Sequence, residues 1–180
     1  MTTIRLILVF FLAVGLFGCK PSAQDQRAKD LMSEANSLFP QITKLTNEWT
    51  NEYKKTFTYE NGAKFPGNRD WLSAQADKII TIIDKCSRLD RTMIEKYEEA
   101  SALSTKEQDR RGISLIAAAL RKDLEINELL KSQLQLVSDE QIKDEKTLTE
   151  KMRSAWPVIH EKQRESSDLI KEGRRLLGIQ

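Results

Sequence analysis

One histidine, His160, and two cysteines, Cys19 and Cys86, are the chain's whole supply of imidazole and thiol groups. A di-iron centre in a helical bundle needs repeated Glu-x-x-His pairs, and the residue three before His160 is Pro157. Haem ligation by His160 with Met32 would leave the two ligands about 12 Å apart in height on antiparallel helices. No Cys-x-x-Cys-His run exists for covalent haem. A thiol nucleophile needs a base beside it, and the one histidine falls on a different helical segment from Cys86. Gly-x-Ser-x-Gly, His-Glu-x-x-His, a phosphate-cradling Gly-rich loop and an EF-hand loop are all missing. Carboxylates are plentiful, but runs such as Glu95-Lys96-Tyr97-Glu98-Glu99 mix them with lysine, as solvated helix faces do. The residues that could do chemistry therefore predict a protein that is not an enzyme and holds no cofactor and no metal.

Composition narrows the class further. The 29 basic and 27 acidic residues nearly cancel, so the chain lacks the cationic excess of a nucleic-acid binder. A mean hydropathy of −0.51 excludes a multi-span membrane protein. Seven Gly and four Pro in 180 residues are too few for the turns of an all-β fold.

The first 19 residues read MTTIRLILVFFLAVGLFGC. Arg5 precedes an apolar stretch over 6–17, long enough for the core of a signal peptide and too short to span a bilayer. The stretch runs into Leu16-Phe17-Gly18-Cys19, which resembles the lipobox of bacterial lipoprotein signal peptides: an aliphatic residue three before the cysteine and a small one just before it. The resemblance implies cleavage after Gly18, a thioether lipid on Cys19 and acylation, for instance by palmitate, of the new terminus. It covers the leader alone. Lys20 follows the cysteine where Asp tends to retain lipoproteins in the inner membrane of enteric-type bacteria. The resemblance thus implies an envelope location, with the outer membrane facing the periplasm favoured in a Gram-negative cell. Several acyl chains anchor stably where one would not, at ~0.8 kcal/mol per buried CH₂.

Beyond the leader, apolar residues recur at helical period almost throughout. Ala28, Leu31, Ala35, Leu38, Ile42, Leu45, Trp49 and Tyr53 are spaced three or four apart. Similar stripes run from Leu72 to Ala100, from Ile113 to Val137 and from Ile142 to Leu177. Asn61-Gly62 and Phe65-Pro66-Gly67-Asn68 separate the first helix from the second. Ser104-Thr105-Lys106-Glu107 and Ser138-Asp139-Glu140-Gln141 read as capping boxes that open the third and fourth. These signals predict an all-α fold with helices at about 24–57, 69–103, 105–137 and 139–176. Each is ~50 Å long at 1.5 Å per residue. Tight second and third turns make neighbours antiparallel, giving an elongated up-down-up-down four-helix bundle. A coiled-coil hairpin, or helices that pair only in an oligomer, would bury the same stripes. The predicted organisation is a cleaved segment 1–18, a lipidated terminus and short tether 19–23, and a bundle domain 24–180.

Four features within the bundle invite a functional reading. Pro40 and Pro157 fall inside the first and last helices at similar predicted heights, with Cys86 near that level. Two level kinks can open a mid-bundle pocket at Pro40, Cys86 and Trp156, which would make the chain a periplasmic small-ligand binder. The aromatics Trp49, Tyr53, Phe57, Tyr59, Phe65 and Trp71 bracket the longest connection, 58–68. With the first helix running away from the membrane, Tyr59 and Phe65 there could meet an envelope protein partner. The competing reading is that Trp49, Tyr53, Phe57 and Trp71 cap the core from inside and Phe65 plugs its end. Basic residues converge near the membrane end: Lys20, Arg27, Lys29, Lys106, Arg110, Arg111, Lys171, Arg174 and Arg175. Acidic neighbours dilute them. Asn127 lies near an inward position of the third helix, where an amide can fix register.

Overall fold

A computed structural model describes residues 22–57, 65 and 67–179. Among them every regular element is helical: α1 (Ala23–Asn36), α2 (Phe39–Thr56), α3 (Arg69–Leu103), α4 (Glu107–Gln135), α5 (Glu145–Ser154) and α6 (Trp156–Leu176), with one 3₁₀ turn at Leu136–Ser138. They make four antiparallel rods, α1–α2, α3, α4 and α5–α6, in the up-down-up-down order that the stripes require. The long uninterrupted pair α3 and α4 forms the centre. Helices α1 and α2 pack on α3, and α6 packs on α4. No described helix is long and apolar enough to cross a membrane.

The core divides into three clusters along the axis. The near one gathers Leu31, Ala35, Met93, Tyr97, Ile113 and Leu120, and the middle one Ile79, Ile83, Ile126, Leu130 and Ile159. The far one holds Phe65, Leu72, Val137, Ile142 and Leu148. Each fully buried aliphatic side chain contributes ~1.5–3 kcal/mol. Polar links set the register between rods: Lys96 pairs with Glu34 at 2.5 Å, Lys78 with Glu52 at 2.7 Å, and Lys131 with Asp84 at 2.9 Å. The Tyr97 hydroxyl donates to Asn36 Oδ1 at 2.6 Å, and burial pushes the phenol's pKa up.

Both outer rods are broken at their prolines rather than merely kinked. Pro40 is the second residue of α2 and Pro157 the second of α6. A proline offers no N–H to the carbonyl four residues back, so the ladder lapses and restarts. The backbone stays right-handed through each joint, with Leu38 at φ −83°, ψ −19° and Ala155 at −82°, −18°. The two joints share a pattern, Ser37-Leu38-Phe39-Pro40 and Ser154-Ala155-Trp156-Pro157. In each, the serine hydroxyl turns back to the carbonyl three residues earlier, on Glu34 and on Lys151, at 2.6 Å. With its amide nitrogen facing α5, Gln133 also donates to the Lys151 and Met152 carbonyls, at 2.8 and 2.9 Å. The joints are not level: Phe39 packs in the near cluster and Trp156 in the middle one.

Neither expected capping box forms. The Ser104 hydroxyl donates back to the Ala100 carbonyl at 3.0 Å, and Thr105 gives both its N–H and its hydroxyl to Asp25. Helix α4 therefore starts at Glu107, with no side-chain cap. At the other box, the Asp139 carboxylate accepts the Gln141 N–H at 2.9 Å, and Ile142 turns into the far cluster, fully buried. The last rod starts six residues later than expected, at Glu145, where Asp144 caps the Thr147 N–H at 2.9 Å.

Candidate functional site

The near end of the bundle is built around the start of α1. Cys19 lies outside the described residues. Ser22 caps α1 by accepting the Asp25 N–H at 3.0 Å, as its hydroxyl donates to the Asp25 carboxylate. Asp25 in turn accepts from Thr105, whose N–H is at 2.9 Å and hydroxyl at 2.8 Å, across the turn between α3 and α4. These bonds, the Thr105 N–H foremost, hold the Asp25 carboxyl at a pKa of about 2. Gln108 donates to the last carbonyl of α6, on Leu176, at 2.6 Å. One turn in, α4 and α6 touch backbone to backbone: a Cβ on Gly112 would lie 2.9 Å from the Gly173 carbonyl, and one on Gly173 would lie 2.8 Å from the Gly112 carbonyl. Three chain segments are thus locked into one end plate.

The converging bases at this end are partly paired, as the mixed sequence implies. Arg110 meets Glu107 at 3.4 Å, Arg175 meets Glu172 at 2.7 Å, and Lys171 meets Asp168 at 3.4 Å. Arg27 reaches Glu34 at 3.3 Å and Glu99 at 3.7 Å. Arg175 holds the Glu172 carboxyl below its usual range, with a further contribution from Arg111.

At the far end the structure corrects the expected contact surface. Phe65 is only 6% exposed and seals the far cluster, so its ring is not offered to a partner. Arg69 lies 4.8 Å over that ring, and its guanidinium donates to the Ile142 and Asp139 carbonyls. The cation holds the plug and the 139–142 turn together. Tyr59 lies outside the described residues. Among the described residues the aromatic that faces solvent here is Trp71, 45% exposed, in the first turn of α3. The sequence carried that signal: Trp71 falls one residue off the Leu72, Ala76, Ile79 stripe, about 100° round the helix. Trp49, Tyr53 and Phe57 are half-buried against the middle cluster.

The mid-bundle residues do not converge on a pocket. Pro40 is exposed, and Cys86 is a buried cysteine in α3. Trp156 alone of the three lines a cleft, shared with Trp49, Tyr53, Ile83, Leu130, Met152 and Ile159. Its free space is about 10 Å³, room for one water rather than a metabolite. His160 is exposed, within 3.2 Å of the Gln163 side-chain oxygen and against the Trp156 ring. Among the described residues no group of His, Cys, Asp or Glu is arranged to hold a metal ion.

One polar cluster is buried in the core. Asn127 donates from its amide to Ser87 Oγ and to Asp90 Oδ2, both at 3.2 Å, and all three residues are about 1% exposed. The Asn127 bond across the α3–α4 interface is the register device that its position suggests. Asp90 is the residue that stripe counting missed. It belongs to the series Ile79, Ile83, Cys86, Asp90, Met93, Tyr97, Ala100, spaced strictly four and three apart, which places its carboxylate inward. The neighbouring Leu89 is only half-buried.

Comparison with family models, with curated proteins and with solved structures finds no match to this chain.

Proposed function

We propose that this chain is a lipid-anchored protein of the bacterial cell envelope. Residues 1–18 are removed, Cys19 carries the lipid, and the helical bundle is a non-enzymatic scaffold that holds its far end out to an envelope protein partner. The observation that carries the reading is the abrupt start of the bundle. Ser22 already caps α1, only three residues after the lipobox cysteine, and Asp25 fastens that first turn to the opposite hairpin. A chain that emerged from a membrane at Cys19 would enter a rigid body at once. Its rods, ~50 Å long, would carry the 58–68 connection and Trp71 that far from the bilayer. Lys20 favours the outer membrane over the inner one in a Gram-negative cell.

The test is metabolic labelling with a fatty acid in a lipoprotein-competent host. The wild-type chain should take up label and fractionate with membranes, and Cys19→Ser should do neither. A wild-type chain that is cleaved and exported but unlabelled would rule the reading out.

A further inference from the structure

The end plate beside the tether has a composition that goes beyond anchoring. Between Cys19 and Ser22 the chain can span at most about 10 Å, even fully extended. The plate beyond is rigid, since Asp25 joins α1 to Thr105, Gln108 joins α4 to the end of α6, and Gly112 meets Gly173. A lipid on Cys19 therefore cannot leave the plate free to swing far from the headgroups. Two of its glutamates are paired within the protein, Glu107 with Arg110 and Glu172 with Arg175, while Asp25 keeps its negative charge against the neutral Thr105. Lys106 and Arg111 are exposed beside them, and Asp109 is half-buried. Over the plate Lys106, Arg110, Arg111, Lys171, Arg174 and Arg175 outnumber Asp25, Glu107, Asp109 and Glu172, so its net charge is positive, the complement of an anionic surface.

We infer that this end plate, comprising the first turn of α1, residues 104–111 and the last turns of α6, is a membrane-docking face that rests on anionic phospholipid headgroups through Lys106 and Arg111 and so stands the bundle upright. The inference depends on Cys19 being the point of attachment. Lipid fixes the distance, and the charges fix the orientation. A bundle held by the lipid alone would be free to tilt and lay a long flank on the bilayer.

The experiment uses the acylated full-length product in vesicles of phosphatidylcholine, with or without phosphatidylglycerol. A fluorophore is attached at Glu107→Cys on the plate or at Glu150→Cys on the far half, and quenching by a nitroxide on the lipid headgroup is read. Both glutamates are exposed, at 84% and 67% of their side chains, and Cys86 is buried. Quenching at position 107 should exceed that at position 150 several-fold when phosphatidylglycerol is present. Lys106→Glu with Arg111→Glu, checked for unchanged helicity and melting, should erase the difference between the two lipids, as should high salt. Equal quenching at both positions would overturn the upright orientation. A difference untouched by charge reversal would overturn the role of the two cations. If the cell does not acylate the chain, the anchor reading fails separately. Coupling Cys19 of the cleaved chain to a maleimide lipid then gives the same geometry and the same two outcomes for the plate.

Discussion

The two ends of the bundle are closed by opposite chemistry. The near end is held by polar bonds and backbone contact: Asp25 on Thr105, Gln108 on the α6 carboxyl terminus, Gly112 on Gly173. The far end is held by an apolar plug, Phe65 with Leu72, Val137, Ile142 and Leu148, and a cation, Arg69, drawn over it. The difference follows from what each end must connect. A three-residue turn between α3 and α4 leaves no chain with which to fill a core, so hydrogen bonds and close approach do the closing. The connection from α2 to α3 and the 139–144 turn are longer, and each can lend an apolar side chain. Under the proposed function the contrast would extend to the roles of the two ends. Polar closure leaves the near end wet and charged, suited to a headgroup surface, whereas the plug hides the aromatic expected at the far surface and leaves Trp71 outside.

The comparison breaks most visibly at the plug. Phe65→Ala should cost ~3–5 kcal/mol, the usual range for a buried aromatic truncation, and lower the melting temperature by several degrees. Arg69→Ala should destabilise less, and hydrogen exchange should quicken at Ile142 before it does in α1. A melt unchanged by Phe65→Ala would mean that the ring does not seal the core. At the near end the largest effect belongs to a methyl group. Gly173→Ala sets a Cβ 2.8 Å from the Gly112 carbonyl and 3.0 Å from Ile116, which a packed backbone cannot yield without moving α6. The expected loss is ~1–3 kcal/mol, measured by denaturant unfolding. Gly178→Ala is the control for local backbone effects: nothing lies within 4 Å of the added group, but the residue's φ of +67° makes its cost a conformational one.

Much of this architecture could be read from spacing. The α3 boundaries fall where the turn residues and stripe place them, because one uninterrupted 35-residue helix has a single apolar face and no competing signal. The outer rods were harder. Their prolines suggested kinks, but whether a proline bends a helix or restarts it depends on the serine three residues earlier and on which acceptors neighbouring rods can satisfy. Both capping boxes misled for a related reason: the Ser104 and Ser138 hydroxyls found other partners, the Ala100 carbonyl and the Ser73 hydroxyl, once the chain folded. In α2 the buried face carries Thr46 beside Ile42, and Leu45 is only half-buried, a rotation that follows the break at Pro40. The far end was illegible because burial of Phe65 arises from the 139–142 turn distant in sequence, whereas the reading of Cys19 rests on the leader, which lies outside the described residues.

A smaller effect distinguishes polar closure from apolar closure by pH. The Asp25 carboxyl has an ordinary value near 3.8 and is held at about 2 in the fold. Its bonds to Thr105 are therefore fully made above pH 4 and are lost as pH falls through 2. Amide exchange at Thr105 should quicken over that window while exchange at Ile142, in the far cluster, should not. Asp25→Asn should remove the pH dependence at Thr105. If Thr105 and Ile142 respond together, the ends are not independently closed.

The smallest effect on stability is expected at Trp71, and it bears most directly on function. Its indole is 45% exposed, in the first turn of α3 and off the apolar stripe, so Trp71→Ala should change stability by about 1 kcal/mol or less. Aromatic side chains on a surface supply large contact area with few rotors to freeze, which is why they recur where proteins meet. If the far end receives an envelope partner, Trp71→Ala should reduce crosslinking from that end in intact cells while leaving the melt, the fatty-acid label and membrane fractionation unchanged. Phe65→Ala should act the other way round, lowering the melt first and crosslinking only as a consequence. A Trp71→Ala chain that crosslinks as well as wild type would move the partner surface away from the start of α3. A chain that loses several kcal/mol on the same change would show that Trp71 belongs to the plug.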